Sequence, residues 1–234
     1  MISFVLPVYN CYDKLILKLP ELIRILQAAN IRYEIIIVDD GSQQKEDIKI
    51  YLNQNCKLLI NQRNYGKGYS VTRGIMAASG DYIIFMDGDF PFDLEVIERL
   101  YNKIQQPDID MIIGDRTMPA SSYRQASMLR YAGSKVISFI VSHFVTKGYY
   151  DTQCGIKGFK KNAAKDIFSR LTIDGFSFDV EVIFIAIKRK YRIERIAVVV
   201  KKQLSSNVII VLHGIEMVIN FIRIEINYRL GKYN

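Results

Sequence analysis

Short apolar runs rich in β-branched residues recur through the first half of the chain, and each is followed by a turn signal and a longer helical pattern. This alternation restricts the possible folds more than any other feature. The runs are Ile2–Leu6, Tyr33–Val38, Leu58–Asn61, Asp81–Met86 and Met111–Gly114. A helix between successive strands returns the chain to the same end of the sheet, so the strands pair mainly in parallel and helices cover both faces. The expected class is therefore α/β, with a mainly parallel central sheet flanked by helices. Ligands on such sheets sit beyond the carboxyl ends of the strands. The conspicuous polar segments fall there: Pro7-Val-Tyr-Asn10, Asp39-Asp-Gly-Ser42, Asn64-Tyr-Gly-Lys-Gly68 and Asp87-Gly-Asp89 follow the first four runs. Four separate segments converge on one rim.

After about residue 120 the pattern changes to a basic helix around Tyr123–Phe144, a turn and strand around Asp151–Phe159, and a helix around Phe178–Lys190. The expected division is one domain over residues 1–204, in halves 1–118 and 119–204, followed by an amphipathic helix over 205–234. In Val208–Leu230, Val208, Val211, Leu212, Ile215, Val218, Ile219, Phe221, Ile222 and Ile226 lie largely on one helical face. Its regular charges argue against a spanning helix, which needs about 20 predominantly apolar residues. A helix lying at a membrane surface, or docked on the domain, a second copy or a membrane-protein partner, fits better. Val136–Val145 is apolar nearly all round but too short to span, so it is either core or a lipid contact, and His143 within it is read as a packing residue. Tyr149 and Tyr150 suit either headgroup level or an ordinary protein surface.

The net charge of +8, from 32 Lys and Arg against 24 Asp and Glu, favours anionic partners: nucleotides, phospholipid headgroups or nucleic acid. A non-catalytic basic protein associating with membrane or nucleic acid is set aside, because aspartates and glycines at four strand ends serve no purpose in binding a phosphate backbone and no aromatic-basic RNA motif is present. Cys11, Cys56 and Cys154 form no disulfide framework and no CxxC pair, so they are read as reduced. Met1-Ile-Ser-Phe-Val-Leu-Pro reads directly into a strand rather than as a signal peptide. The expected location is cytoplasmic, peripheral at the membrane face.

Asp87-Gly-Asp89 places two carboxylates at the tip of an apolar strand, where a hard divalent cation, Mg²⁺ or Mn²⁺, bridging two phosphates is a natural counter-ion. Loop aspartates without metal are also common. Asp39 and Asp40 either accept hydrogen bonds from a base or ribose, or simply cap the following turn, with Gly41 permitting the tight bend. Asn64-Tyr-Gly-Lys-Gly68 opens a helix and offers backbone amides and Lys67 to an anion, or is only a helix start. It has neither the P-loop spacing nor the third glycine of a dinucleotide fingerprint.

Taken in order, Val5-Leu-Pro-Val-Tyr-Asn10, Val38-Asp-Asp-Gly-Ser42, Asn64-x-Gly-Lys-Gly68 with Gly74, and Asp87-x-Asp89 resemble family 2 of the inverting GT-A glycosyltransferases. Asp151-Thr-Gln-Cys-Gly-Ile-Lys-Gly-Phe159 and Gly175-Phe-Ser-Phe-Asp-Val-Glu181 resemble the branch that transfers a hexose to a polyprenyl phosphate, the dolichyl-phosphate glucosyltransferases and dolichol-phosphate mannose synthases. The resemblance implies a nucleotide-sugar pocket, for a UDP- or GDP-linked donor, lined by Pro7, Tyr9, Asp39 and Lys67, and Asp40 and Asn64 are expected as further donor contacts. It implies that Asp87 faces the ribose or diphosphate and that Asp89, with Asp87, holds the metal. It assigns Arg116, Arg130 and Ser134 to the acceptor phosphate, and Arg130 and Ser134 are four apart on one helix face. Gln153-Cys154-Gly155 leans toward UDP-glucose, whereas Phe90-Pro-Phe departs from the mannose-synthase segment that carries a further metal-binding glutamine. A phosphomonoester acceptor is already ionised and needs positioning more than a general base. If the acceptor were instead a hydroxyl of a glycan or lipid-linked saccharide, Asp179 or Glu181 would be the candidate base.

Overall fold

The computed structural model describes residues 1–43, 51–119, 146, 148–200 and 210–233, with side chains from residue 219 onward in the last segment. Seven strands form one sheet: β1 (Ile2–Val8), β2 (Tyr33–Asp39), β3 (Cys56–Ile60), β4 (Tyr82–Met86), β5 (Met111–Asp115), β6 (Ile156–Lys160) and β7 (Ile193–Ala197). Their order is β3-β2-β1-β4-β6-β5-β7, and β6 alone runs antiparallel to its neighbours. The described helices are α1 (Tyr12–Ala28), α2 (Lys67–Ala77), α3 (Glu95–Ile104), α4 (Lys161–Phe168), α5 (Phe178–Lys188) and α6 (Ile210–Arg229).

The five expected strands form, with ends displaced by at most two residues, and Asp151–Phe159 contributes β6 at its distal end. The helix expected over Tyr123–Phe144 lies outside the described residues, as do Val136–Val145 and His143. Two elements, β7 and α4, have no clear sequence signal. β7 reads Ile-Glu-Arg-Ile-Ala, and an edge strand tolerates such charges because one side of it is exposed.

Alternating residues of the strands feed two cores. Phe4, Leu6, Ile35, Ile37, Ile84 and Ile112 face Leu15, Leu19, Leu22 and Leu26 of α1 and Ile97 and Leu100 of α3. On the opposite face, Val5, Ile36, Val38, Phe85 and Phe159 meet Val71 and Ile75 of α2, Ile167 of α4, Phe178 and Ile183 of α5, and Phe221 and Ile224 of α6. Burial on both faces explains why these strands read as nearly continuous apolar runs rather than alternating ones.

Glu34 is a buried exception at the amino end of β2. Its carboxylate accepts hydrogen bonds from Ser3 Oγ and from the Ser79 amide and hydroxyl, and Lys57 Nζ lies 3.5 Å away. Burial works against its ionisation, but these bonds and the lysine outweigh it and bring the pKa from 4.5 down to about 2. A depressed folded-state pKa contributes stability above the unfolded value, on the order of 3 kcal/mol, which is lost as pH falls from about 4.5 toward about 2. Urea melts should show wild-type stability declining through that range more steeply than Glu34→Gln, by about one proton. Equal acid slopes would contradict the assignment.

Candidate active site

The carboxyl ends of β1, β2 and β4 form the expected rim. β1 pairs with β4 only through Val5, so Pro7, which has no amide to donate, lies beyond that ladder. Its carbonyl is so close to Gly88 that a Cβ at Gly88 would lie 2.6 Å away, which accounts for the glycine between the two aspartates. Asn10 joins two rim loops: its amide donates to Ser42 Oγ and its side-chain oxygen accepts from the Gln43 amide. Tyr9 is exposed beside this junction. Gly41, with φ +75°, lies under the backbone of Arg63 and Asn64, where a Cβ would meet Arg63 C at 2.4 Å. The tight turn expected at Gly41 is present, and it brings the exposed Asn64 over the second strand end.

Asp39 and Asp40 are both buried. Asp39 Oδ1 accepts the Ser42 amide at 2.9 Å, and the Tyr12 hydroxyl is bonded to the same carboxyl. Asp40 differs from the expectation of a nucleotide contact. Its oxygens accept from Asn61 Nδ2 at 2.7 Å, the Tyr65 amide at 3.1 Å and the Gly66 amide at 2.9 Å, so they tie the second strand end to the third instead of facing a ligand. Asn61 continues this network to Ser70 and Arg73.

The glycine segment opening α2 also departs from expectation. Gly68 and Tyr69 amides donate to Asp174 O at 2.7 and 3.3 Å, and a Cβ on Gly66 or Gly68 would strike the backbone of residues 173–174. With the Tyr65 and Gly66 amides given to Asp40, four amides around the helix start are committed to the protein itself. The glycines allow two loops to touch, and Lys67 is what the segment presents to the rim.

Lys67 Nζ is 2.8 Å from Asp87 Oδ1 and 3.8 Å from Asp179 Oδ2, and it lies within 6 Å of the ring centres of Phe85 and Phe178. Burial opposes its charge, but the carboxylates of Asp87 and Asp179 hold it firmly protonated. Asp87 is placed from both ends: its amide donates to Gly155 O at 2.9 Å, and its carboxylate lies against Gly155 Cα, where a Cβ would be 2.0 Å from Oδ2. Asp89 is partly exposed, with Lys14 Nζ 3.8 Å from Oδ2. Two hard oxygen donors at an open strand tip suit a divalent cation that completes its shell with substrate phosphates and water. Among the described residues no group of three or more His, Cys, Asp or Glu side chains is arranged to hold a metal ion. The departure at Phe90-Pro-Phe has a packing reason: Phe90 and Phe92 are core residues, and Phe92 bridges to Val200.

Two candidate bases are not placed to act as such. Glu181 is fully buried and accepts from the Thr172 amide and hydroxyl, the Ile173 amide and the Tyr233 hydroxyl, so it anchors the loop before α5 to the end of the chain. Asp179, also buried, is committed to two lysines, because Lys157 Nζ lies 2.5 Å from its Oδ1. Arg116 forms a bidentate pair with Asp151, Nε to Oδ2 at 2.8 Å and Nη2 to Oδ1 at 2.6 Å, and its amide donates to the same carboxylate. Its fork is therefore directed at the Asp151 turn. Arg130 and Ser134 lie outside the described residues. Tyr149 is half-buried with its hydroxyl on Ile193 O, whereas Tyr150 is exposed. Burial pushes the Cys154 thiol up to about 12, which makes it inert at neutral pH. The residue that sequence reasoning missed is Lys157; the signal was a lysine inside an otherwise apolar strand segment, Ile156-Lys-Gly-Phe159.

Residues 3–168 match the model of the family described as "Glycosyl transferase family 2". The chain belongs to glycosyl transferase family 2. It is an enzyme, an inverting glycosyltransferase. Among curated family members it is similar to the dolichyl-phosphate beta-glucosyltransferase of Dictyostelium discoideum, 31% identical over 98% of this chain and 75% of that one. The protein of the same description from Saccharomyces cerevisiae is 29% identical over 99% of this chain and 76% of its own length. Among solved structures, the glucosyl-3-phosphoglycerate synthase of Mycobacterium tuberculosis, in complex with Mn²⁺, UDP-glucose and phosphoglyceric acid, superimposes with a TM-score of 0.72. It covers 96% of this chain and 79% of that one at 15% identity, and so shares the GT-A fold.

Proposed function

We propose that this family 2 enzyme transfers glucose from UDP-glucose to the phosphate of a polyprenyl or dolichyl phosphate, with inversion at the anomeric carbon. The observation that carries this reading is the likeness, over nearly the whole chain, to relatives described as dolichyl-phosphate beta-glucosyltransferases. Residues 1–118 bind the donor and 119–204 the acceptor. Tyr9, Pro7 and Asp39 line the nucleoside end, and Lys67 faces the diphosphate. Asp87 and Asp89 would hold a divalent cation, which would supply positive charge beside the departing diphosphate; a solved structure of the same fold contains Mn²⁺ and UDP-glucose.

In the transfer, an acceptor phosphate oxygen forms a bond to the anomeric carbon while the bond from that carbon to the diphosphate breaks, and UDP leaves with the electron pair. The nucleophile is already an anion, so the protein's task is alignment and charge stabilisation. Arg130 and Ser134 are assigned to the acceptor phosphate, and Arg116 is held by Asp151 at the carboxyl end of β5. The hydroxyl-acceptor reading loses support, because Glu181 and Asp179 are both committed to internal partners.

Among the described residues no helix is long and apolar enough to cross a membrane. The outer face of α6 supports a peripheral contact. Ile219, Ile222 and Ile226, with Leu230 just beyond, are half or more exposed along one stripe, flanked by Arg223 and Arg229. The inner face docks through Phe221, Ile224 and Asn227. Ile222→Asp with Ile226→Asp should reduce sedimentation with anionic phosphatidylglycerol vesicles by about tenfold without changing the melting temperature appreciably. Unchanged sedimentation would place the contact elsewhere.

The reaction itself is tested by offering a panel of UDP- and GDP-sugars with polyprenyl phosphate or the corresponding polyprenol. Transfer is expected from UDP-glucose to the phosphate alone. Transfer to the unphosphorylated alcohol would overturn the phosphate-acceptor reading.

A further inference from the structure

Lys157 is a lysine in the middle of a sheet. It sits on β6 opposite Phe85 of β4 and Ile113 of β5, its side chain has no solvent exposure, and its ammonium lies 5.2 Å from the Phe85 ring centre. A charge so placed is costly unless it is paired and hydrogen-bonded. Its partners are Cys154 O at 2.9 Å and Asp179 Oδ1 at 2.5 Å. Asp179 in turn directs its second oxygen to Lys67, which reaches Asp87. The result is an alternating row, Lys157, Asp179, Lys67, Asp87, that runs from the core to the rim. The carboxylate sits in the first turn of α5, where the helix dipole also favours it.

We propose that Lys157 is a positioning residue for donor binding: by occupying one oxygen of Asp179 it limits the hold of that carboxylate on Lys67, leaving the Lys67 ammonium available to the donor diphosphate. The proposal rests on the reading of the rim as the donor site. Without Lys157, Asp179 has Lys67 as its remaining cation and draws it inward from the diphosphate. The internal pair thus sets the strength of a group that it never touches directly from the Lys157 end.

The test is binding of UDP with Mn²⁺ by titration calorimetry, with melting temperature and circular dichroism as controls on folding. Lys157→Met is expected to weaken UDP binding by about tenfold or more. Lys157→Met combined with Asp179→Asn removes both charges of the pair, a change that interiors often tolerate, and it should bring affinity back to within about threefold of wild type. A merely structural role predicts no such recovery, so a double variant as weak as the single one overturns the proposal, as does a folded Lys157→Met with wild-type affinity. If the single variant does not fold, the double variant decides: near-wild-type affinity supports the proposal, and a tenfold loss overturns it. Failure of the wild-type chain to bind UDP would overturn the donor-site reading itself, and the proposal with it.

Discussion

Replacing Asp89 with alanine is expected to lower glycosyl transfer at least about a hundredfold while leaving the melting temperature close to that of wild type. The two halves of this expectation have separate causes. Asp89 is partly exposed at the tip beyond β4, and its 3.8 Å ion pair with the half-exposed Lys14 contributes little to stability. Its chemistry is another matter, since on the proposed reading Asp87 and Asp89 would together hold the cation, and removing one would halve its protein ligands. Losses of one well-placed electrostatic group in transition-state stabilisation run to about 10²–10³. Transfer should also require more Mn²⁺ to reach its residual rate. Full activity in Asp89→Ala would mean that the cation is held elsewhere.

Gly155→Ala should be as damaging, through a residue that contributes no side chain at all. A methyl group there would stand 2.0 Å from Asp87 Oδ2 and 2.4 Å from its Cγ, far inside any tolerable contact. Asp87 cannot simply step back, because its amide is bonded to the Gly155 carbonyl and its carboxylate is paired with Lys67. The carboxylate must rotate away or β6 must shift, and either moves a site group by about an ångström, a displacement worth on the order of a hundredfold in rate. Turnover should therefore fall by about two orders of magnitude, accompanied by a lower melting temperature, since strands β4 and β6 are strained together. Activity within about threefold of wild type would show that Asp87 has a second productive position.

These two residues also show what was and was not legible in the sequence. Asp87 and Asp89 could be placed because they follow a run, Tyr82–Met86, apolar enough to be a buried strand, and an α/β sheet presents such ends to one rim. Gly155 was visible as part of a motif, but its reason was not: nothing in the local sequence says that an antiparallel β6 will run beside β4 and bring the residue before it against the carboxylate. The same limit applies to Lys157, whose partner Asp179 is supplied by a helix 22 residues later. For Asp40, Gly66 and Gly68 local reasoning pointed outward, toward a ligand, and packing directed them inward, because the loop at residues 173–175 closes over the start of α2. Strand ends are written locally; which of their polar groups remain for a substrate is decided by which loops come to cover them. Glu181 follows the same rule, its carboxylate filled by Thr172, Ile173 and Tyr233 from two other segments.

The central claim, transfer of a sugar from a nucleotide donor to a lipid phosphate, is tested most directly by incubating the purified chain with radiolabelled UDP-glucose, polyprenyl phosphate and Mn²⁺ and following label into an organic extract. Label should enter the lipid as an acid-labile glucosyl phosphate, in step with release of UDP. Release of UDP and free glucose with no labelled lipid would contradict the claim.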